Sequence, residues 1–150
     1  MKDPMGRCAA GLLILTAAAC TGTGGTDLDT DPSAEVAAAL STPIEVTLRR
    51  GEYRRIAGAR LGLGFDGVLT DSRCPIDAVC VWMGDAVALI ELAAPGVSTR
   101  FELHTSQEPR SAASNSVTVT LLELAPAPKA SEPIRPASYA VRLRVERTAR

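Results

Sequence analysis

The chain has 150 residues, of which 16 are basic and 17 are acidic, and its formal net charge is −1. That length fits a single domain, and the near-zero charge argues against nucleic acid as a partner, because phosphate binding depends on clustered positive charge. No apolar run reaches the roughly 20 residues that a membrane-spanning helix needs. Composition therefore favours one globular domain.

The N-terminal segment places a short apolar run behind Lys2 and Arg7. This arrangement is typical of a secretory signal peptide. The small residues that precede Cys20 resemble the bacterial lipobox, in which the cysteine thiol is acylated and the peptide bond before it is cut. We therefore predict a signal peptide over residues 1–19 and a palmitate-type lipid anchor on Cys20, with an ordinary signal peptide cut elsewhere as the alternative.

Residues 20–42 are rich in Gly, Thr, Asp and Ala, and we expect them to form a flexible tether with a root-mean-square span of about 25 Å. Thr21 follows the lipidated cysteine, where many proteobacteria use aspartate to mark retention in the inner membrane. The sequence thus favours an outer-membrane lipoprotein facing the periplasm. Residues 43–150 are left for the folded domain.

Two cysteines remain for the folded domain once Cys8 leaves with the signal peptide and Cys20 carries lipid. In an oxidising compartment, such a pair predicts a disulfide between Cys74 and Cys80. On the chain-entropy model, closing so short a loop stabilises the fold by roughly 2 kcal/mol.

From Ile44 onward, apolar residues recur at every second position, which is the strand pattern. Gly62 and Gly64 interrupt the third strand and indicate a close backbone approach or a bulge, and a bend is expected near Gly84 in the fourth. Residues 105–115 are expected to form a loop, and a proline-rich connection runs from 125 to 136. The pattern predicts an all-β fold, a small antiparallel β-sandwich or partly open barrel. Six of the seven predicted strands lie at about residues 44–48, 53–57, 61–65, 97–103, 117–121 and 139–145, and the apolar run 79–93 contains the other.

Residues 71–84 carry the most specific motif of the chain, D-S-R-C-P-x4-C-x-W-x-G. In this motif and in its strand layout, the chain resembles a family of small uncharacterised bacterial lipoproteins. The resemblance implies a lipid-anchored, disulfide-bearing β-domain in the cell envelope, and it implies no activity.

Trp82 has two interpretations. The predicted strand would put its indole beside the disulfide, and a lone tryptophan in a chain poor in aromatics is expected to pack over the sulfur atoms as core. The alternative is an exposed anchor for a partner with Arg73 beside it, since Trp and Arg are enriched in binding hot spots. We expect Arg73 to pair with Asp71 or Asp85 rather than with a ligand.

No catalytic motif is present, and His104 is the only histidine. A Ser-His-Asp arrangement is defined by geometry and stays open, but no nucleophile elbow marks a serine. The aspartates near the motif do not match the spacing of a calcium loop and are expected to be turn residues. We predict no catalytic residue, no metal and no cofactor. Those aspartates are Asp66, Asp71, Asp77 and Asp85.

Arginines near both ends of the domain would merge into a basic face if the terminal strands were neighbours. Such a face would suit anionic envelope polymers or lipid head groups, although acidic residues are interspersed. The arginines are Arg49, Arg50, Arg54, Arg55 and Arg60 near the start and Arg142, Arg144 and Arg147 near the end.

Taken together, these features predict a lipid-anchored envelope domain that acts as a binding or accessory module, with the membrane as one partner and an envelope protein as a possible second. The main alternative is an inhibitor of an envelope protease, in which the braced loop of residues 74–80 enters the active site. A hydrolytic enzyme that uses His104 and a purely structural role are the remaining classes.

Overall fold

The computed structural model describes residues 39–148, so the predicted signal peptide, Cys20 and most of the predicted tether lie outside the described residues. Within residues 39–148, no helix is long and apolar enough to cross a membrane. The elements are a short 3₁₀ helix, Pro136–Ser138, and eight strands: β1 Ile44–Arg49, β2 Tyr53–Ile56, β3 Leu61–Asp71, β4 Ala86–Ala94, β5 Val97–His104, β6 Ser111–Ser114, β7 Val117–Ala125 and β8 Ala140–Arg147.

The strands form two four-stranded antiparallel sheets, in the order β1-β8-β7-β6 and β2-β3-β4-β5. The sheets do not close into a barrel, and the predicted all-β sandwich is confirmed. Alternating side chains of both sheets point inward, as in β4 and β8, and pack one core between them. Phe65 on one sheet and Leu121 and Leu143 on the other are fully buried. Leu40 is 2% exposed and belongs to the same core, so the fold begins at or before this residue.

Two strand predictions are wrong. The strand predicted within the apolar run 79–93, with Cys80, Trp82 and Gly84 on one face, does not include those three residues, because β4 begins at Ala86 and residues 79–85 form part of a loop. The segment 105–115 was expected to be a loop throughout, but it contains β6, whose Ser and Ala residues carry little strand signal. The sheet pair therefore has eight strands rather than seven.

The close approach predicted at the glycines of β3 is confirmed. The ring of Tyr53 lies across Gly62 and Gly64, and a Cβ atom at Gly62 would overlap the phenol. The absence of side chains at these two positions lets the ring lie against the outer face of the sheet.

The chain enters the domain at one pole of the sandwich, and the longest connections gather at the other. Ile44 pairs with Val145 near the end of β8, and Val117 at the start of β7 pairs with Arg147, which defines the entry pole. At the opposite pole, β3 and β4 meet at the Asp71 and Ala86 pair. Since β3 has 11 residues, the poles are about 35 Å apart.

Candidate functional site

The connection between β3 and β4, residues 72–85, exposes a run of apolar side chains, and we call it the apolar loop. Trp82 is 82% exposed and its neighbours Val81 and Met83 are 90% and 81% exposed, while Val79 is fully exposed and Ile76 is 69% exposed. The expectation that Trp82 packs over the disulfide as core is therefore wrong. The strand that would have turned the indole inward does not form, because β4 begins only after the loop.

The base of the apolar loop is a short antiparallel stem closed by the predicted disulfide, which is confirmed. The N–H of Ser72 donates to the carbonyl of Asp85 at 2.7 Å, and the N–H of Cys74 donates to the carbonyl of Met83 at 2.9 Å. Cys74 and Cys80 are bonded, with their Cα atoms 6.0 Å apart. These bonds fix both ends of the segment that carries the exposed side chains.

Arg73 fastens the stem to the opposite sheet. Its Nε and Nη2 donate to the two carboxylate oxygens of Asp71 at 2.9 and 2.7 Å, as expected for this pair. Nη1 reaches the carbonyl of Leu124 at 2.6 Å, Nη2 reaches that of Pro126 at 2.9 Å, and Tyr139 donates its hydroxyl to Asp71 at 2.9 Å. Only 14% of the Arg73 side chain is exposed, so its guanidinium acts as a support for the loop.

The same contacts set the protonation state of Asp71. Burial alone would raise the pKa of this carboxyl, but hydrogen bonds from Arg73 and Tyr139 outweigh burial and hold the pKa below its ordinary value. Burial and the bond to Asp71 together raise the pKa of Tyr139. The cluster is thus a charged pair with a neutral phenol.

The loop also rests on the proline-rich connection between β7 and β8. The N–H of Ile76 donates to the carbonyl of Pro128 at 3.0 Å, and the N–H of Ala130 donates to the Asp77 carboxylate at 2.8 Å. Backbone and side-chain bonds of this kind reduce the freedom of the loop before any partner arrives.

Asp85 joins the loop to the end of β5. Its carboxylate accepts hydrogen bonds from the backbone N–H groups of Thr105 and Ser106, at 3.0 and 2.9 Å. It also accepts hydrogen bonds from the hydroxyl groups of both residues, each at 3.0 Å. Nδ1 of His104 lies 2.5 Å from the same carboxylate. Burial alone would raise the pKa of Asp85, but the hydrogen bonds from His104, Ser106 and Thr105 outweigh it, and the pKa lies well below its ordinary value.

His104 and Ser106 both bond to Asp85 rather than to each other. A Ser-His-Asp relay needs a serine hydroxyl on the second ring nitrogen of the histidine, and the hydrogen bonds found within residues 39–148 include none there. No group of three or more His, Cys, Asp or Glu side chains that could hold a metal ion occurs in this part of the chain. The candidate aspartates are separated, with Asp66 paired to Arg100 at 2.9 Å.

The arginines do not merge into one basic face. β1 and β8 are neighbours, but β2 with Arg54 and Arg55 lies in the other sheet. On β8, Arg142 pairs with Glu123 at 2.9 Å and with Glu45 at 3.2 Å. The interspersed acids thus neutralise this stretch of the surface.

The tip of the apolar loop, residues 78–84, is uncharged, and residues 79–82 within it have a free backbone. Residues 78–84 read Ala-Val-Cys-Val-Trp-Met-Gly. Within the described part of the chain, no hydrogen bond joins the backbone groups of residues 79–82 to the rest of the domain. The tip can therefore offer both apolar side chains and unpaired N–H and C=O groups.

Comparison of the chain with family models, with curated proteins and with solved structures gave no match. The site is therefore defined by geometry alone. Sequence reasoning located it at residues 71–84 but identified only Trp82 as an apolar candidate. The other four exposed residues, Ile76, Val79, Val81 and Met83, were missed because an apolar run next to a strand is normally assigned to that strand.

Proposed function

We propose that this chain is a lipid-anchored domain of the bacterial cell envelope that acts as a binding module, with the apolar loop as its contact surface. One observation carries the proposal, the exposure of Trp82 and its apolar neighbours on a loop that the domain holds in place. Water-exposed apolar side chains forgo the stabilisation that burial gives, and a contiguous exposed apolar patch marks an interaction site.

The supports of the loop strengthen this proposal. The disulfide and the Arg73 bonds fix the base of the loop in the unbound domain, so little conformational entropy is lost when the tip is covered. A tryptophan on such a base has the chemistry of a binding hot spot.

The proposal is tested by placing a photoreactive diazirine side chain at position 81 of the lipidated protein and irradiating it in native envelopes. Val81 is 90% exposed, so the substitution leaves the core intact. A probe at position 97, where Val97 is 43% exposed at the entry pole, is the matched control. We expect adducts from position 81 that Trp82→Ala suppresses. Equal adduct yields from both positions would overturn the proposal.

Inhibition of an envelope protease is a second candidate function, favoured by the free backbone of residues 79–82 beside the disulfide. Clefts that bind extended peptide segments form hydrogen bonds with main-chain groups of this kind. Titration against serine, cysteine, aspartic and metalloproteases tests this candidate. Absence of inhibition in all four classes would eliminate it.

A further inference from the structure

We infer that the apolar loop meets the lipid interface of the membrane itself, so that the domain is held to the bilayer at two points. The inference rests on the proposed function, because it names what the contact surface binds. It follows from the charge, shape, backbone and reach of the loop.

The charge distribution fits lipid. Residues 78–84 carry no ionisable side chain, and the flanking charges are engaged at the base of the loop. Arg73 is bonded to Asp71 and to two carbonyls, Asp77 accepts a backbone N–H, and Asp85 is buried under its donors. Charged side chains are the groups that a bilayer excludes most strongly. The tip can therefore leave water without taking a charge with it.

The shape and composition of the tip point the same way. The four apolar side chains of the tip, Val79, Val81, Trp82 and Met83, are each 81% exposed or more, so little of their surface contacts the domain. A fluid interface surrounds such projections without needing a complementary surface, whereas a protein pocket must match each of them. Tryptophan is also, with tyrosine, enriched at the membrane–water boundary.

The free backbone limits how deeply the tip can enter. Unpaired N–H and C=O groups are not tolerated in the hydrocarbon core, and residues 79–82 carry several. The backbone must therefore stay among the hydrated head groups while the side chains of Val81, Trp82 and Met83 pass beyond it. The geometry predicts shallow insertion.

The length of chain before the domain allows both contacts to use one membrane. Nineteen residues lie between Cys20 and Leu40, and a chain of that length spans at most about 70 Å. The poles of the domain are only about 35 Å apart, from the 11 residues of β3. The apolar loop can thus reach the bilayer that holds the lipid, although it lies at the pole opposite the chain entry.

The test uses the fact that Trp82 is the only tryptophan in the chain. The lipidated full-length protein is reconstituted in vesicles of phosphatidylethanolamine and phosphatidylglycerol, and separately of phosphatidylcholine, each with brominated lipid. We expect Trp82 emission to move to shorter wavelength in both. Shallow bromine labels should quench it about twofold more than deep ones, since interfacial groups sit about 5–10 Å into the head-group boundary. Val81→Asp should abolish both signals, and Val97→Asp should leave them unchanged.

The inference would be overturned if the Trp82 emission of the wild-type protein in vesicles matched that of the Val81→Asp variant. If the photoreactive probe at position 81 still forms Trp82-dependent adducts with an envelope protein in that case, the binding module stands and its partner is a protein pocket. If that probe also gives no adducts above the position 97 control, the proposed function fails as well. A signal that appears only with phosphatidylglycerol would also overturn the inference, because an uncharged tip has no reason to require anionic lipid.

Discussion

The carboxylate of Asp85 joins the loop to the end of β5. The substitution Asp85→Asn measures how much this junction contributes to the free energy of unfolding. Asparagine keeps the shape of the side chain and one carbonyl oxygen, but it removes the charge that the N–H groups of Thr105 and Ser106 now bond. A hydrogen bond to a charged group contributes about 1.5–3 kcal/mol and a neutral one about 0.5–1.5 kcal/mol. Two such bonds should together lose about 2 kcal/mol, which lowers the melting temperature of a domain this size by roughly 10 °C.

Chemical unfolding followed by far-ultraviolet circular dichroism measures the difference in free energy of unfolding between the wild type and Asp85→Asn. The pH dependence of this difference tests whether the charge of Asp85 causes it. The pKa of Asp85 is lower in the folded protein than in the unfolded chain. Its stabilisation is therefore complete above about pH 4 and is lost as the pH falls toward the folded pKa. The difference in free energy of unfolding between the wild type and Asp85→Asn should fall by about 1.4 kcal/mol per pH unit below 3.9. It should be close to zero at about pH 2.5.

Asp66→Asn is the matched control, because its ion pair with Arg100 lies at the surface and should contribute at most about 1 kcal/mol. A gap for Asp85→Asn below about 0.5 kcal/mol at pH 7, or one of the same size at about pH 2.5, would refute this account of the junction.

Three further predictions concern the loop. Replacing Cys74 and Cys80 with serine should lower the free energy of unfolding by about 2 kcal/mol in urea titrations, and an unchanged midpoint would contradict the bracing role of the disulfide. Gly84→Ala should destabilise the domain more than Gly51→Ala: both glycines have positive φ, but a Cβ at Gly84 would overlap the backbone across the stem, while at Gly51 it meets nothing within 4 Å. Equal losses would show that the stem can open. Fluorescence of Trp82 in the protein without the proposed lipid should hardly change on unfolding, because the side chain is already 82% exposed, and a large red shift would mean that it is buried.

The regular strands were predictable because one physical rule governs them. In β8, Val141, Leu143 and Val145 alternate with charged residues and are buried, and a half-buried strand needs that alternation. β6 was not predictable in this way, since its residues Ser-Ala-Ala-Ser have small side chains and it is placed by its pairing with β7. A strand fixed by its neighbour leaves little trace in its own sequence.

The candidate site was only half predictable for a related reason. The cysteine spacing predicted the disulfide, and the nearby acids predicted a partner for Arg73, because these are local chemical preferences. The exposure of Val79 to Met83 was not predictable, since an apolar run is assigned to the core unless something prevents it. Residues 79–82 escape burial because they lie beyond the stem that the Ser72 and Cys74 bonds form, where they belong to no strand of either sheet.

The positions of the chain entry and the apolar loop also determine how the domain would respond to mechanical force. A pull between the chain entry and the apolar loop runs parallel to the strands, because the two points lie at opposite poles. The force enters at β1, which is joined to β8 by six residue pairs. Under such a load these pairs must slide past each other together, whereas a force across the strands would open them one at a time. The topology therefore favours mechanical resistance to a force between the proposed lipid anchor and the proposed membrane contact of the loop.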